Sequence, residues 1–593
     1  MFETLSQVFL RIVREYADKP DLMQVKRDGR YEPISTEEFG RRVRRMALGL
    51  RGLGAGPDRK LVILSENRPE WTMLDFANLG LGGVTVPIYP TLVPSQVKHI
   101  IGNSEASIVV CSGPDLRRKF EVVRAELPTA VQAVTLEDEA PEGFLTLSEV
   151  EARGAAAEPG DDGGFERAAA AVRPADLASI IYTSGTTGVP KGVMLTHANF
   201  ISNILTLHAQ HGFDRSDTIL SFLPLSHVLE RMCTFAFLSQ GASIAYAESI
   251  DTVAANLVEV RPTIMVSVPR VFEKLYAKVM DTVLAGSSLK RKIFFWAART
   301  GREWGRRAIE HRTIPAGLKL RRGLAHKLVF GKILEKTGGR IKYFVSGGAP
   351  LSGDLGEFFF DLGLPIKEGY GLTETAPVVA CNTFEHLRFG TVGRPIPGVS
   401  VRFAEDGEIL VQGPNVMRGY YKMEEETQEA FSGGWFHTGD IGYLDPDGFL
   451  VITDRKKDLI VTAGGKNVAP QPIENLIKQN PLIANAVVVG GQRKFISALI
   501  VPNREKIEAH AREAGIQATG YRELLDDDRI NRFLLAEIDK ATPNLSPYEK
   551  VKKIVLLDRD FEIEREELTP TLKVKRSMVE AAYKPLIDAL YKD

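Results

Sequence analysis

Cysteine is nearly absent: Cys111, Cys233 and Cys381 make up the whole complement of a 593-residue chain, far apart and with no CxxC pair. That scarcity excludes a disulfide framework and a thiolate metal site, and a reducing compartment is expected. Long apolar runs are missing as well. The richest stretches, LGLGGVTVPI at 79–88 and Phe235–Ala247, are too short or too interrupted for the roughly 20 residues of a spanning helix, so any membrane contact has to be peripheral. No basic start, apolar core and small-residue cleavage site opens the chain, which carries Glu3 and Arg11 early; a cytoplasmic location is the expectation. Excess charge of one sign is lacking too, since 75 Lys and Arg meet 76 Asp and Glu for a formal net charge of -1. The whole-chain basic surplus that drives sequence-independent binding to a phosphate polyanion is absent, and no nucleic-acid partner is expected. GxSxG and any repeat of fixed period are likewise missing.

What is present is the composition of a folded, multidomain protein. At 593 residues the chain exceeds the roughly 250–300 over which one core stops growing, and 44% hydrophobic with 25% charged residues leaves ample apolar surface to bury. Short β-branched runs, KLVIL (60–64), ASIVVC (106–111), TIMVSV (263–268) and IKYFVSG (341–347), alternate with helical patterns and predict an α/β architecture with parallel sheets. After Gly390, VRFAEDGEILVQG, IGYLDPDGFLVIT and NAVVVGGQRKFISALIVP read as strands joined at DG and GG turns. The charged knot DRKKD (454–458) marks a boundary. Residues 1–454 are expected to form a large N-terminal domain with a β-rich subdomain at about 390–454, and residues 455–593 a small, mobile α+β domain. The stretch 151–176, rich in Gly, Ala and acids, is expected to be a surface loop.

One region departs from neutrality. Residues 290–342 hold sixteen Lys and Arg against Glu303, Glu310 and Glu335, a formal +13. Within it Ile293, Trp296, Ala297, Trp304 and Ala308 recur at helical spacing, which predicts an amphipathic helix with a basic opposite face. Two uses fit such a helix: packing its apolar stripe on the domain, or docking on anionic lipid.

The strongest chemical signal is YTSGTTGVPKG (182–192), which follows the apolar run LASII and precedes a helical stretch beginning near His197; strand, loop and helix are expected in that order. Gly185, Gly188 and Gly192 let the backbone turn tightly and approach a ligand. Thr183, Ser184, Thr186 and Thr187 add hydroxyls and Lys191 a cation, a set suited to polyphosphate. It is not the P-loop GxxxxGK[ST], because Pro190 stands where the second Gly has to be. Further along come SFLPLSHVLER (221–231), SGGAPL (346–351), EGYGLTET (368–375), TGD (438–440), DRKKDLIVTAGGKNVAP (454–470) and TPTLKVKR (569–576). In EGYGLTET, Tyr370 sits between glycines, Thr373 offers a hydroxyl to phosphate, and Glu374 a hard oxygen for Mg2+.

In this order and spacing the seven motifs resemble those of the adenylate-forming superfamily of acyl-CoA synthetases, luciferases and peptide-synthetase adenylation domains; LPLSHVLER is most similar to the bacterial long-chain fatty acid:CoA ligases. The resemblance covers nearly the whole chain. It implies ATP, Mg2+ and coenzyme A, a fatty acid as substrate, and two steps through an acyl-adenylate. It assigns the segment Thr183–Lys191 to phosphate, Gly347, Gly348 and Ala349 to the adenine edge, Tyr370 and Gly371 to adenine stacking, and Asp440 to the ribose hydroxyls. Arg455 goes to ribose or phosphate, Lys457 to a hinge, Gly464 and Gly465 to the pantetheine thiol, and His227 to the acyl carboxylate. Lys573 matches the catalytic lysine through K-x-x-R, completed by Arg576, although Leu572 stands where many members have Gly and Lys575 remains an alternative. A monomer or homodimer touching the inner face of the membrane through 290–342 is consistent with this. Rival readings are a ligase for medium-chain, short-chain or aromatic acids, a stand-alone adenylation domain, and a non-catalytic lipid or nucleotide binder. The last is disfavoured because Lys191, Glu374, Asp440 and Lys573 occur together, and binding alone does not call for that set.

Overall fold

In a computed structural model of the chain the described residues are 2–592 apart from Thr129, 185–189, Glu564 and 570–572. The four β-branched runs become the strands Lys60–Leu64, Ile108–Cys111, Ile264–Ser267 and Tyr343–Ser346. They are almost wholly buried, because a parallel strand is covered on both faces, and apart from Lys60, Ser267 and Ser346 at their ends they are apolar throughout. Two sheets result. The first runs Gly419–Tyr420, Pro190–Thr196, Leu177–Ser184, Val84–Ile88, Lys60–Leu64, Ile108–Cys111, Gln132–Thr135, Leu145–Thr146, parallel from Leu177–Ser184 onward. The second runs Arg394–Pro395, Val378–Cys381, Ile366–Gly371, Tyr343–Ser346, Ile264–Ser267, Thr218–Ser221, Ser243–Tyr246, Met23–Arg27, Arg30–Ile34, parallel from Ile366–Gly371 to Met23–Arg27. The α/β expectation with parallel sheets is met.

The chain forms two compact units. Met1–Val271, Val279–Val401 and Leu410–His437 make the first, which holds both sheets. Phe272–Lys278, Arg402–Ile409 and Thr438–Asp593 make the second. There Ile483–Val489 and Ser497–Pro502 pair as an antiparallel hairpin, and Ile554–Leu556 lies parallel to Ser497–Pro502. Alternation with period two divides its core. Ala486, Val488, Ala498 and Ile500 join Ile473, Ile477, Ile530 and Leu534 of the helices Pro470–Lys478 and Asp528–Ala541. Val487, Val489, Leu499 and Val501 join Val579 and Ile587 of the helices Arg576–Ala582 and Lys584–Leu590.

One expectation fails: the stretch 151–176 is not a loop but is largely occupied by the helices Leu147–Asp161 and Gly164–Ala171. A capping box starts the first, the Glu149 N–H donating to Thr146 Oγ1 (3.0 Å) and the Thr146 N–H to Glu149 Oε2 (2.7 Å). Alanine is the best helix former, and the glycines serve close approach. A Cβ on Gly154 would lie 1.9 Å from the Arg45 carbonyl oxygen, and one on Gly49 would lie 2.1 Å from that of Val150. The helix Thr36–Gly52 therefore crosses Leu147–Asp161 backbone to backbone.

The basic region does form the helix Ser288–Ile309, and of its two expected uses the Trp-bearing stripe takes the first. Phe294, Ala297, Gly301 and Gly305 are buried, and the ring of Trp304 lies between Phe360 and the Arg322 guanidinium, the latter 4.9 Å from the ring centre. No helix among the described residues is long and apolar enough to cross a membrane.

Candidate active site

Strand Leu177–Ser184 pairs antiparallel with Pro190–Thr196, setting Thr183 opposite Lys191. This second strand stands between the Gly/Thr segment and the helix His197–His211, so the order is strand, strand, helix and not strand, loop, helix. Gly185, Thr186, Thr187 and Gly188, with the side chain of Ser184, lie outside the described residues. The Lys191 ammonium sits 5.1 Å from the centre of the Tyr420 ring, and the Tyr420 hydroxyl donates to Glu374 Oε1 at 3.0 Å. Burial, reinforced by the Glu374 charge, raises the Tyr420 phenol well above its ordinary value and keeps it a donor. Glu374 lies in the 3-10 turn Thr373–Thr375, and its carbonyl accepts from Met417 N–H (2.8 Å). Asn199, on the helix His197–His211, anchors the same segment by donating to the carbonyls of Pro414 (2.8 Å) and Val416 (2.9 Å). Tyr420 carried no signal in the sequence; its place depends on pairing of Gly419–Tyr420 with Val193 and Met194.

Tyr370 is half-buried at the end of the strand Ile366–Gly371, where the register with Val378–Cys381 shifts. Gly371 cannot be replaced there: a Cβ would lie 1.8 Å from the Pro377 carbonyl oxygen. One strand over, Gly347 follows Tyr343–Ser346 and donates its N–H to the Ser267 carbonyl (3.2 Å), Gly348 has a φ of +81°, and Ala349 is half-buried. Glu368 ties these two segments together. Its carboxyl accepts from Leu351 N–H at 3.0 Å and is pushed up to about 8 by complete burial, against the lowering effect of that one bond. The sequence reading assigned Glu368 no role.

His227 caps the helix Val228–Ser239, its Nδ1 accepting from Leu229 N–H (3.1 Å), which places the ring proton on Nε2 of a neutral imidazole. The Tyr89 ring stands edge-on at 6.4 Å. Leu229 approaches the glycine loop: a Cβ on Gly347 would meet its Cδ2 at 3.0 Å. One turn further, Arg231 is buried and makes a bidentate pair with buried Asp75, Nε to Oδ2 and Nη2 to Oδ1 both at 2.7 Å. Its Nη1 donates to Ser179 Oγ (2.6 Å), which in turn donates to the Thr85 carbonyl (2.6 Å). The helix that begins at His227 is thus locked to the strand that ends at Thr183 and Ser184.

The second unit brings together four of the expected residues. Asp440 and Arg455 are register partners on the hairpin Trp435–Leu444 and Leu450–Arg455, joined at 3.1 Å between Nε and Oδ1. Lys573 is held by reciprocal bonds with Thr569, its N–H donating to Oγ1 (3.0 Å) and its carbonyl accepting from Thr569 N–H (2.7 Å). Crowding by protein atoms, then Arg455, then Lys457 lower its ammonium to about 8 against the pull of Asp440. Lys573, and not Lys575, is therefore the lysine that faces Asp440 and Arg455. Arg576 anchors the segment, donating to Glu474 (2.6 Å) and to the Val488 carbonyl (2.5 Å). Lys457 lies in the turn after Arg455 and is itself lowered by burial and by Arg455. Gly464 and Gly465 form the exposed tip between the short strands Ile460–Val461 and Asn467–Val468, Gly465 with a φ of +71° and open space around both.

Comparison with known proteins gives the following. Residues 9–421 match the family model described as AMP-binding enzyme, and residues 457–593 match that of the AMP-binding enzyme C-terminal domain. The chain is similar to the long-chain-fatty-acid–CoA ligase FadD15 of Mycobacterium bovis, at 38% identity over 97% of this chain and 95% of that one. It is similar to long chain acyl-CoA synthetase 7, peroxisomal, of Arabidopsis thaliana, at 31% identity over 99% and 86%. In fold it resembles the adenylation domain of a carboxylate reductase from Mycobacterium chelonae, with a TM-score of 0.74 over 100% of this chain and 91% of that one at 22% identity.

Proposed function

Since the chain belongs to the AMP-binding enzyme family and is an AMP-forming fatty acid:CoA ligase that uses ATP, Mg2+ and coenzyme A, we propose that its substrate is a long-chain fatty acid and that the residues described above divide the two steps. A carboxylate is a poor acyl donor, because a nucleophile would have to expel oxide from an anion. Adenylation removes that obstacle: a carboxylate oxygen attacks the α-phosphorus, the bond to the bridging oxygen breaks, and pyrophosphate departs. The CoA thiol then attacks the carbonyl, loses its proton and expels AMP.

In this reading Thr183 and Lys191, with the Ser184–Gly188 segment between them, hold the departing phosphates. Tyr370 and Gly371, with Gly347, Gly348 and Ala349, take the adenine, and Thr373 a phosphate oxygen. The neutral His227 sits at the acyl carboxylate and donates from Nε2. Glu374 is suited to Mg2+: it offers one carboxylate beside a hydroxyl donor, and no group of three His, Cys, Asp or Glu side chains that could hold a metal occurs among the described residues. Glu374 would hold the metal through its carboxylate, steadied by the Tyr420 hydroxyl, and the metal would supply neutralisation of the phosphate charge. Asp440, an acceptor-only group, takes the ribose hydroxyls with Arg455 beside it. Lys573 places its ammonium between the acid and the α-phosphate, Lys457 is the pivot of the 455–593 domain, and Gly464 and Gly465 let the thiol pass. Peripheral contact of residues 290–342 with the inner face of an anionic membrane completes the reading.

The meeting of Lys573 with Asp440 and Arg455 carries these assignments, since residues more than 100 positions apart converge on one ammonium. The test of substrate is acid-dependent ATP–pyrophosphate exchange and CoA-thioester formation across acids from acetate to octadecanoate. Both should rise with chain length; a maximum with acetate, or with an aromatic acid, would overturn the long-chain assignment.

A further inference from the structure

A cation and a carboxylate that serve one site also attract each other, and away from bulk water that attraction is several times what it is in water. Lys191 and Glu374 are two such groups. Yet the Lys191 ammonium is in no ion pair among the described residues and lies instead against the Tyr420 ring, 5.1 Å from its centre. The hydroxyl of the same ring donates to Glu374 Oε1 at 3.0 Å. The two contacts support each other, because a phenol that donates to a carboxylate gains electron density and draws a cation more strongly to its face.

The backbone fixes where Tyr420 stands. Gly419–Tyr420 pairs antiparallel with Val193 and Met194, just beyond Lys191, and the Tyr420 N–H donates to Thr427 Oγ1 at 2.9 Å. Gly419 has a φ of +147°, and a Cβ there would meet Thr427 Cγ2 at 2.7 Å, so the short strand lies close against the helix Glu424–Ala430. On the side of the Glu374 turn, the Met417 N–H holds the Glu374 carbonyl at 2.8 Å. One short strand thus brings a ring to Lys191 and a hydroxyl to Glu374.

Resting on the reading that Lys191 serves phosphate and Glu374 serves Mg2+, we propose that Tyr420 is a positioning residue that holds this cation and this carboxylate apart, so that neither has to be released from the other when ATP and its metal arrive. The ring separates and the hydroxyl aims. Neighbouring Tyr421, whose hydroxyl reaches Glu105 at 3.4 Å, has no part in it and serves as the control.

Calorimetric binding of inorganic pyrophosphate to the full chain in EDTA tests the separation without metal or turnover. Tyr420→Leu removes the ring and should weaken pyrophosphate at least about tenfold, since Lys191 then closes on Glu374. Adding Glu374→Gln in that background opens the pair and should recover at least about tenfold, whereas the same change with Tyr420 in place should gain less than about threefold. The recovery also shows that the chain folds. Tyr420→Phe keeps the ring and should hold pyrophosphate within about twofold of wild type. It should weaken Mn2+ bound together with ATP, read from the electron paramagnetic resonance signal of the unbound ion, at least about fivefold, because the carboxylate loses its orienting donor. Equal gains from Glu374→Gln in the two backgrounds, unchanged pyrophosphate affinity in Tyr420→Leu, unchanged Mn2+ affinity in Tyr420→Phe, or matching losses in Tyr421→Phe reduce Tyr420 to packing and overturn the proposal. Pyrophosphate affinity that is unchanged in Lys191→Ala would instead sink the phosphate assignment and the proposal with it, a failure that this variant alone reveals.

Discussion

At ~4 Å and an effective dielectric near 20, an ammonium set between two anions offsets about 4 kcal/mol per charge pair. Lys573→Ala should therefore slow adenylate formation by about 10² to 10³, the scale seen on removing one transition-state donor, while pre-formed acyl-adenylate still reacts with CoA at a near-native rate; single-turnover assays of each step separate the two. The charged form is the useful one. With the free-enzyme ammonium held below the ordinary lysine value by crowding and by Arg455 and Lys457, kcat/KM for adenylation should fall on an alkaline limb that lies below the usual lysine range, and Lys573→Arg, protonated throughout, should lose that limb. An alkaline limb that persists in Lys573→Arg would remove Lys573 as its source. At this scale the sequence was partly legible. The spacing K-x-x-R pointed to Lys573 over the alternative Lys575, and the fold sets Lys573 within electrostatic reach of Arg455 and Asp440. Tyr420 and Glu368 gave no sign, because one acts on Glu374 from 46 positions away and the other on Leu351 from 17. No local pattern encodes either contact.

At the scale of the element, the helix Leu147–Asp161 shows how composition misleads. Glycine and alanine with scattered acids read as a loop, yet Gly154 and Gly49 are small because two helices touch there through their backbones. The two glycines of Leu147–Asp161 should answer differently to the same methyl group. Gly154→Ala pushes a Cβ into the Arg45 carbonyl, which cannot rotate away, and should destabilise by about 2–4 kcal/mol. Gly160→Ala meets nothing within 4 Å and should be neutral or stabilising by up to about 1 kcal/mol. Thermal unfolding of the pair decides, and equal shifts would refute the backbone crossing. The β-branched strands were legible for the opposite reason: burial on both faces of a parallel sheet writes itself into four or five consecutive apolar residues, as KLVIL and IVVC show.

At the scale of the molecule, the assignment of Lys457 as a pivot makes a demand on the backbone alone. Lys457→Pro fixes φ and removes a backbone N–H, and because it also removes a cation that acts on Lys573, Lys457→Ala is the control that separates the lost charge from the backbone effect. Adenylate should still form, and thioester formation should slow by at least about tenfold in quenched-flow measurements of the two half-reactions. A fall by the same factor in both would end the pivot assignment. The larger architecture was legible because strand and helix alternate at the right lengths. The composition of the two units was not, since Arg402–Ile409 belongs with Thr438–Asp593 across an interval of sequence that only the folded chain closes. Within the first unit, the buried Arg231–Asp75–Ser179 chain has its own corollary. It fastens the helix opening at His227 to the strand closing at Thr183 through groups that neither water nor salt reaches. The span from His227 to Thr183, the residues proposed for the acid and the phosphates, is in that sense a fixed gauge, calibrated once on folding and indifferent to ionic strength. Whatever swings during turnover is measured against it.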